Sequence, residues 1–170
     1  MYAINQLPRQ DIKHSPTGCC PEFQPKDWDD KKFHFEDKLF LKVDTRNFMH
    51  IPLNMGKVFR RAMAEIEAAG VSPGDEYIIL SYDASPWKGE HFISVKDTVP
   101  GGVMVRISGH YMAKVFEGPY KDAGKWYKQL VNCVEEKGKK AKKIYFFYTT
   151  CPTCAKVYGK NYVVGFAEVV

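Results

Sequence analysis

Two stretches decide how this chain folds: residues 54–70, NMGKVFRRAMAEIEAAG, and residues 122–138, DAGKWYKQLVNCVEEKG. They align at an offset of 68 residues, which pairs Gly56-Lys57 with Gly124-Lys125, Glu67 with Glu135 and Gly70 with Gly138. The same shift carries Phe48 onto Phe116, Tyr77 onto Tyr145 and Val95 onto Val163, so one unit has been written twice. Asn54 falls on Asp122, and both are residue types favoured at a helix N-cap. Val58, Ala62, Met63, Ile66 and Ala69 in the first stretch, and Trp126, Leu130, Val131 and Val134 in the second, recur at helical spacing. Gly70 and Gly138 then stand where a left-handed C-terminal cap belongs.

Outward from each helix the period changes to strand. One strand-like run precedes each helix, about residues 39–49 and 104–117. Two follow it, residues 76–82 and 91–96 in the first copy and 143–150 and 162–169 in the second. Each unit therefore reads strand, helix, strand, strand. A single unit leaves one face of its sheet bare, and two side by side cover each other. The expected fold class is α+β, with tandem duplicated strand-helix-strand-strand units, a mostly antiparallel sheet, two helices and a central ligand cleft between the copies. Val99-Pro100-Gly101-Gly102 is the expected boundary, giving units of about 38–98 and 103–170 within one domain spanning 38–170. Residues 1–37, rich in Pro and charge, lie outside the repeat and read as an N-terminal arm crossing the surface.

At 170 residues, 45% hydrophobic and 26% charged, the chain can bury a core without disulfide staples. Its apolar runs, such as residues 144–148, are far below the roughly 20 residues that span a bilayer. No membrane partner is expected. The opening MYAINQLPRQ has neither a basic nor a continuous apolar region of a secretory signal, and the expected location is cytoplasmic. The net charge of +5 is concentrated only in Lys137–Lys143, between a helix pattern and a strand pattern, which reads as a solvated connector. With no helix-turn-helix pattern, no nucleic-acid partner is expected. The unusual quantity is aromatic: 3 Trp, 10 Tyr and 11 Phe, suited to a core or to a wall that receives flat apolar ligands.

Phe116-Glu117-Gly118-Pro119-Tyr120 leads from a strand into the second helix, Gly118 relieving crowding and Pro119 fixing the backbone angle. A strand, Gly-Pro-Tyr and an amphipathic helix in the second half of a duplicated chain resembles the GyrI-like small-molecule-binding superfamily. That group includes effector-binding domains of multidrug-sensing regulators and stand-alone gyrase-inhibitor proteins. The chain is also similar to stand-alone members with a Cys-Cys-Pro near the start and Tyr-Thr-Thr-Cys-Pro-x-Cys-Ala near the end, here Cys19-Cys20-Pro21 and residues 148–155. The resemblance covers about residues 38–170 and implies an aromatic pocket between the copies that takes lipophilic, often cationic, compounds around an internal acid. Ring faces would add roughly 0.5 to 2 kcal/mol each toward a cation. Tyr120 matches a family position directly.

The acid is where this sequence departs from the family. Where regulators carry an aromatic residue, Glu, an apolar residue and Tyr, this chain has Tyr145-Phe146-Phe147-Tyr148, so Phe146 replaces the carboxylate. Glu168, alternating with Tyr162, Val164 and Phe166 on the last strand, and Glu117, beside the Gly-Pro-Tyr turn, are the substitutes. Glu168 reads more readily as a strand-end carboxylate exposed to water. The expected ligand walls are Tyr120, Tyr148, Phe146, Tyr111, Trp87 on a hairpin turn, and Trp126 near the start of the second helix; Trp87 reads equally as a lid on the core, and Trp126 more readily as core.

Cys151-Pro152-Thr153-Cys154 has the spacing of a redox dithiol, but only 16 residues follow Cys154, and they read as a loop and one strand. Cys20, Cys151 and Cys154 could give zinc three thiolates, with His14 or Cys19 a fourth; otherwise they are small buried residues of a turn, and no cofactor is required. His34-Phe35-Glu36 with a distant Cys-x-x-Cys lacks the spacing of a zinc deaminase. The expected function is a stand-alone binding protein for amphipathic, aromatic or cationic small molecules. The alternatives are a GyrI-like hydrolase that opens cyclopropanoid-type electrophiles with Glu168 or Glu117 as general base, and a protein-interaction module that blocks a partner such as gyrase.

Overall fold

The computed structural model describes residues 2–11, 15, 20–149 and 152–170. Strand β1 (Lys32–Phe48) leads through a two-residue β2 (Ile51–Pro52) into helix α1 (Met55–Ala69), then β3 (Ile79–Ser85) and β4 (Lys88–Ser94). The second copy runs β5 (Val103–Glu117), α2 (Ala123–Glu136), β6 (Ala141–Tyr148), a short helix α3 (Pro152–Tyr158) and β7 (Tyr162–Val169). All pairings are antiparallel in the order β2-β1-β4-β3-β6-β7-β5, and β5 returns to pair with β1. The α+β duplicated sheet is thus closed into a barrel, which leaves its six long strands no free edge. No helix among the described residues is long and apolar enough to cross a membrane.

Both repeat helices end as their glycines dictate. Gly70 is left-handed (φ 68°) and donates its N–H to the Ile66 and Glu67 carbonyls, and Gly138 (φ 73°) donates to Glu135. Their starts differ from expectation: Asn54 and Asp122 occupy the N-cap positions, but neither side chain caps its helix. Asn54 Oδ1 instead accepts the Arg46 N–H at 2.8 Å, tying the helix start to β1. The turn expected after Cys154 to be a loop is α3, whose Tyr158 hydroxyl donates to the Cys20 carbonyl.

The barrel has two chemically distinct surfaces. Inward point Phe33, Phe35, Phe40, Leu80, Phe92, Tyr111, Tyr145, Phe147, Val164 and Phe166. A bulge at residues 36–37 of β1, with Asp37 at φ 47°, inserts one residue opposite β5, so that Phe35 before it and Phe40 after it both face inward despite their odd separation. The arm, expected to cross the surface, instead supplies the plug. Trp28 is 1% exposed and touches Phe23, Phe33, Phe147 and Phe166 at ring separations of 5.5 to 6.2 Å. An indole delivered from outside the repeat thus completes the packing of these inward rings.

The outward surface carries the helices. Helix α1 lies over β1, with Ala62 and Ile66 on Leu41 and Ile93; α2 lies over β7, β6 and β5, with Trp126, Leu130 and Val134 on Phe116, Ile144 and Val163. Gly165 lets α2 approach, because a Cβ there would stand 2.8 Å from Leu130 Cδ2 and 3.0 Å from the Phe116 ring. Gly165→Ala is expected to cost about 1–3 kcal/mol by overpacking, read as a lower urea midpoint with unchanged slope. An unchanged midpoint would mean that helix and sheet are not in close contact here.

Candidate functional site

Neither helix makes its main contacts with β3, so β3 and the adjoining part of β6 form a half-buried strip between α1 and α2, with Ile79 packed toward α1 and Phe146 and Tyr148 toward α2. Its floor is set by one registered pair, Ser81 opposite Phe146, and every second residue on either side faces the same way: Ile79 and Asp83 on β3, Tyr148 on β6. Tyr120, in the short turn Tyr120–Asp122 that opens α2, stands edge-on to Tyr148 at 5.4 Å and is 39% exposed. Gly118, at φ 145°, and Pro119 turn the chain from β5 so that Tyr120 reaches this position. Phe146 follows at 6.2 Å from Tyr148. Three of the expected aromatic walls thus line one strip.

An acid reaches the strip from the other copy. Asp83, exposed on β3, is ion-paired with His50. Burial, then the negative charge of Asp83 and the neighbouring Tyr120, push the Tyr148 hydroxyl up to about 12, so it remains a proton donor throughout the neutral range. Sequence reading did not single out Asp83, because no spacing links residue 83 to residue 148, and in the antiparallel register the two lie on either side of the Ser81–Phe146 pair.

Beside the strip lies a polar chain that sequence reading also missed. Ser81 and His91 are direct cross-strand partners, and Ser81 Oγ lies 2.8 Å from His91 Nδ1. His91 Nε2 lies 2.9 Å from Thr45 Oγ1, and the Thr45 hydroxyl donates to Asn47 Oδ1 at 3.1 Å. The Phe59 ring of α1 covers the imidazole at 5.1 Å. His91 is 4% exposed, and burial, outweighing the opposing charges of Asp44 and Glu90, lowers it from 6.5 to about 4. The folded protein therefore holds it neutral where the unfolded chain would protonate it. Stability is complete above pH 6.5 and falls as pH drops toward 4, by about 3 kcal/mol in all from this residue. Urea midpoints measured from pH 7 to pH 4 should fall in wild type and fall less steeply in His91→Gln; parallel slopes would remove His91 as the cause.

The other expected residues lie elsewhere. Tyr111 faces the barrel interior at 1% exposure, and Trp126 is buried under α2, stacked on Phe116 at 5.7 Å. Trp87 is on the β3–β4 tip, 57% exposed and edge-on to Phe48 at 5.8 Å. Glu117 is exposed at the end of β5, opposite Tyr162. Glu168 shares the inward face of β7 with Phe166, whereas its strand neighbours Phe146 and Tyr148 on β6 face outward with Gly165 and Val163. It pairs with Lys142 at 3.8 Å, and its charge, after burial, helps raise Tyr111 and Tyr145. The interior rings at this end already hold a cation: Lys143 Nζ lies 4.1 Å from the Tyr82 ring centre and 5.1 Å from that of Tyr145.

Cys20 is half-buried and Cys154 buried, while Cys151, Cys19 and His14 fall outside the described residues; no cluster of three metal-ligating side chains occurs among those described. Two cavities, of about 230 and 360 Å³, lie along the arm, flanking Arg9 and Asp27.

No curated protein matches the chain in sequence. Among solved structures, a hydrolase from Listeria innocua superposes with a TM-score of 0.58 at 11% identity, over 82% of this chain and 90% of its own. An uncharacterized conserved protein from Listeria innocua gives 0.61 at 13% identity, over 82% and 91%. A third, SAV2435 bound to tetraphenylphosphonium, gives 0.49 at 14% identity, over 82% and 93%. At these identities the likeness of the two Listeria proteins establishes the fold. Residues 10–169 match the family model described as bacterial hydrolase, and the chain belongs to that family.

Proposed function

We propose that the strip between the helices is a binding site for flat, lipophilic small molecules, including cationic ones, in the manner of the GyrI-like superfamily. The observation that carries this reading is the grouping of Tyr120, Tyr148 and Phe146, each partly exposed, on the outer sheet surface between the two helices. Partly exposed rings beside a carboxylate suit an apolar ligand whose charge is delocalised, since desolvating it costs little and the ring faces attract it. Asp83 takes the place of the acid absent at Phe146. Its partner His50 and its own exposure limit its contribution, so Asp83→Asn should weaken a lipophilic cation by about fivefold at most and leave a neutral aromatic unchanged. Fluorescence titration with one ligand of each kind checks this, and equal losses for both would exclude Asp83 as the charge reader.

Turnover is the second reading, favoured by the membership in a hydrolase family. The expected bases, Glu168 and Glu117, are not on the strip, so a cyclopropanoid-opening reaction there would use Asp83 to take a proton from water and the Tyr148 hydroxyl to steady the substrate. Acceleration of a cyclopropanoid's decay by catalytic amounts of protein, followed by mass spectrometry, supports turnover; slowing in proportion to protein added supports binding alone.

A further inference from the structure

The polar chain beside the strip has a direction. Because Thr45 donates its hydroxyl proton to Asn47 Oδ1, its oxygen accepts from His91 Nε2–H, which fixes the tautomer that leaves the Nδ1 lone pair facing Ser81 Oγ–H at 2.8 Å. All four members are held by the sheet: Thr45 and Asn47 on β1, His91 on β4 and Ser81 on β3, with His91 directly opposite Ser81. Gly89, opposite Thr45, leaves the room the chain needs, since a Cβ there would lie 2.6 Å from Thr45 Oγ1 and 3.2 Å from His91 Nε2. Thr45 and His91 are buried, and the Ser81 end reaches the floor of the strip beside Phe146.

We infer that Ser81 is a nucleophile, with His91 its general base and Thr45 the group that orients the base, and that the strip accepts neutral carboxylic esters with an apolar acyl or aryl group. The inference rests on the strip being the ligand site. In the first step Ser81 Oγ attacks the ester carbonyl carbon while its proton passes to His91 Nδ1. The bond from that carbon to the alcohol oxygen breaks, and the alcohol leaves with the proton from His91. Water then attacks the acyl-Ser81 carbonyl, giving its proton to His91. The bond to Oγ breaks, Ser81 recovers a proton, and a carboxylic acid departs. Ester and water are consumed, acid and alcohol formed, and no other reactant is needed. Asp44 and Glu90, one residue along from the His91 pair and ion-paired with Lys42 and Lys88, offset only part of the burial, so the imidazole rests as the free base that can accept the Ser81 proton. Tyr148, a donor on the same face two residues beyond Phe146, is placed along the strip to meet a developing oxyanion.

A serine-reactive fluorophosphonate added to the full-length protein tests this, with the adduct located by peptide mass spectrometry. One adduct on Ser81 is expected. Ser81→Ala should abolish it in protein whose circular dichroism and urea midpoint match wild type, and His91→Gln should slow it by about 100-fold or more. Thr45→Val should slow it about tenfold and Thr45→Ser restore it, a rescue that a purely packing role would not give. If Ser81→Ala does not fold, the wild-type map alone decides. An unlabelled Ser81 in protein that binds a lipophilic fluorescent dye overturns the nucleophile and leaves the binding site standing. Failure to bind the dye together with an unlabelled Ser81 overturns both.

Discussion

Trp28→Ala should cost about 4 kcal/mol, the largest loss from any single truncation considered, because the indole is enclosed by four aromatic side chains and its removal leaves a void that a closed sheet cannot collapse to fill. Helix-side substitutions can be relieved by a small shift of α1 or α2. The barrel interior has no such freedom, since six strands are hydrogen-bonded into a ring. Trp28→Phe retains most of the contact and should lose much less. Urea unfolding of the two variants measures this. A loss under about 1 kcal/mol for Trp28→Ala would mean that the arm lies over the barrel without filling it.

The second large effect is on binding. Replacing Tyr120 with Ala should weaken a lipophilic aromatic probe about tenfold, and replacing Tyr120 and Tyr148 together by about 100-fold, since each ring contributes on the order of 1–1.5 kcal/mol through face and edge contacts. Tyr111→Phe is the matched control. It alters a tyrosine of the barrel interior and should leave the affinity unchanged. Were Tyr111→Phe the damaging substitution and the Tyr120, Tyr148 pair neutral, the ligand would be entering the barrel and the outer strip would be bare surface.

Much of this fold was legible because the repeat was written in chemically strong residues. Gly70 and Gly138 stop both helices in a left-handed conformation that few other residues adopt, and the 3.6-residue period of each helix matches the face it buries. Closure into a barrel was not legible, because the pairing of β1 with β5 is a long-range choice that no local period encodes. Nor was the plug: Trp28 sits among charged residues at 26, 27, 29 and 30, a context that reads as solvent-exposed arm.

The site was legible in part for a similar reason. Tyr120, Tyr148 and Phe146 came from a motif and an alternation, both local. Glu168 was placed with them because it shares a strand with residues that pair with β6. Alternation put it on the opposite face from Phe146, where Gly165 is the registered partner. The Ser81–His91 pair was available in principle: a hairpin turning near Trp87 brings residues symmetric about it together, and one more step of register would have set His91 opposite Ser81. Asp83 was not, since its proximity to Tyr148 depends on how two copies meet.

The most direct test is to locate a bound ligand. A diazirine-bearing lipophilic aromatic cation, photolysed with the full-length protein and mapped by peptide mass spectrometry, should attach within 79–83 and at 120, 146 or 148, and excess unmodified ligand should suppress it. Attachment confined to the arm near Arg9 and Asp27, or to inward residues such as Tyr111 and Phe166, would contradict the assignment of the strip as the binding site.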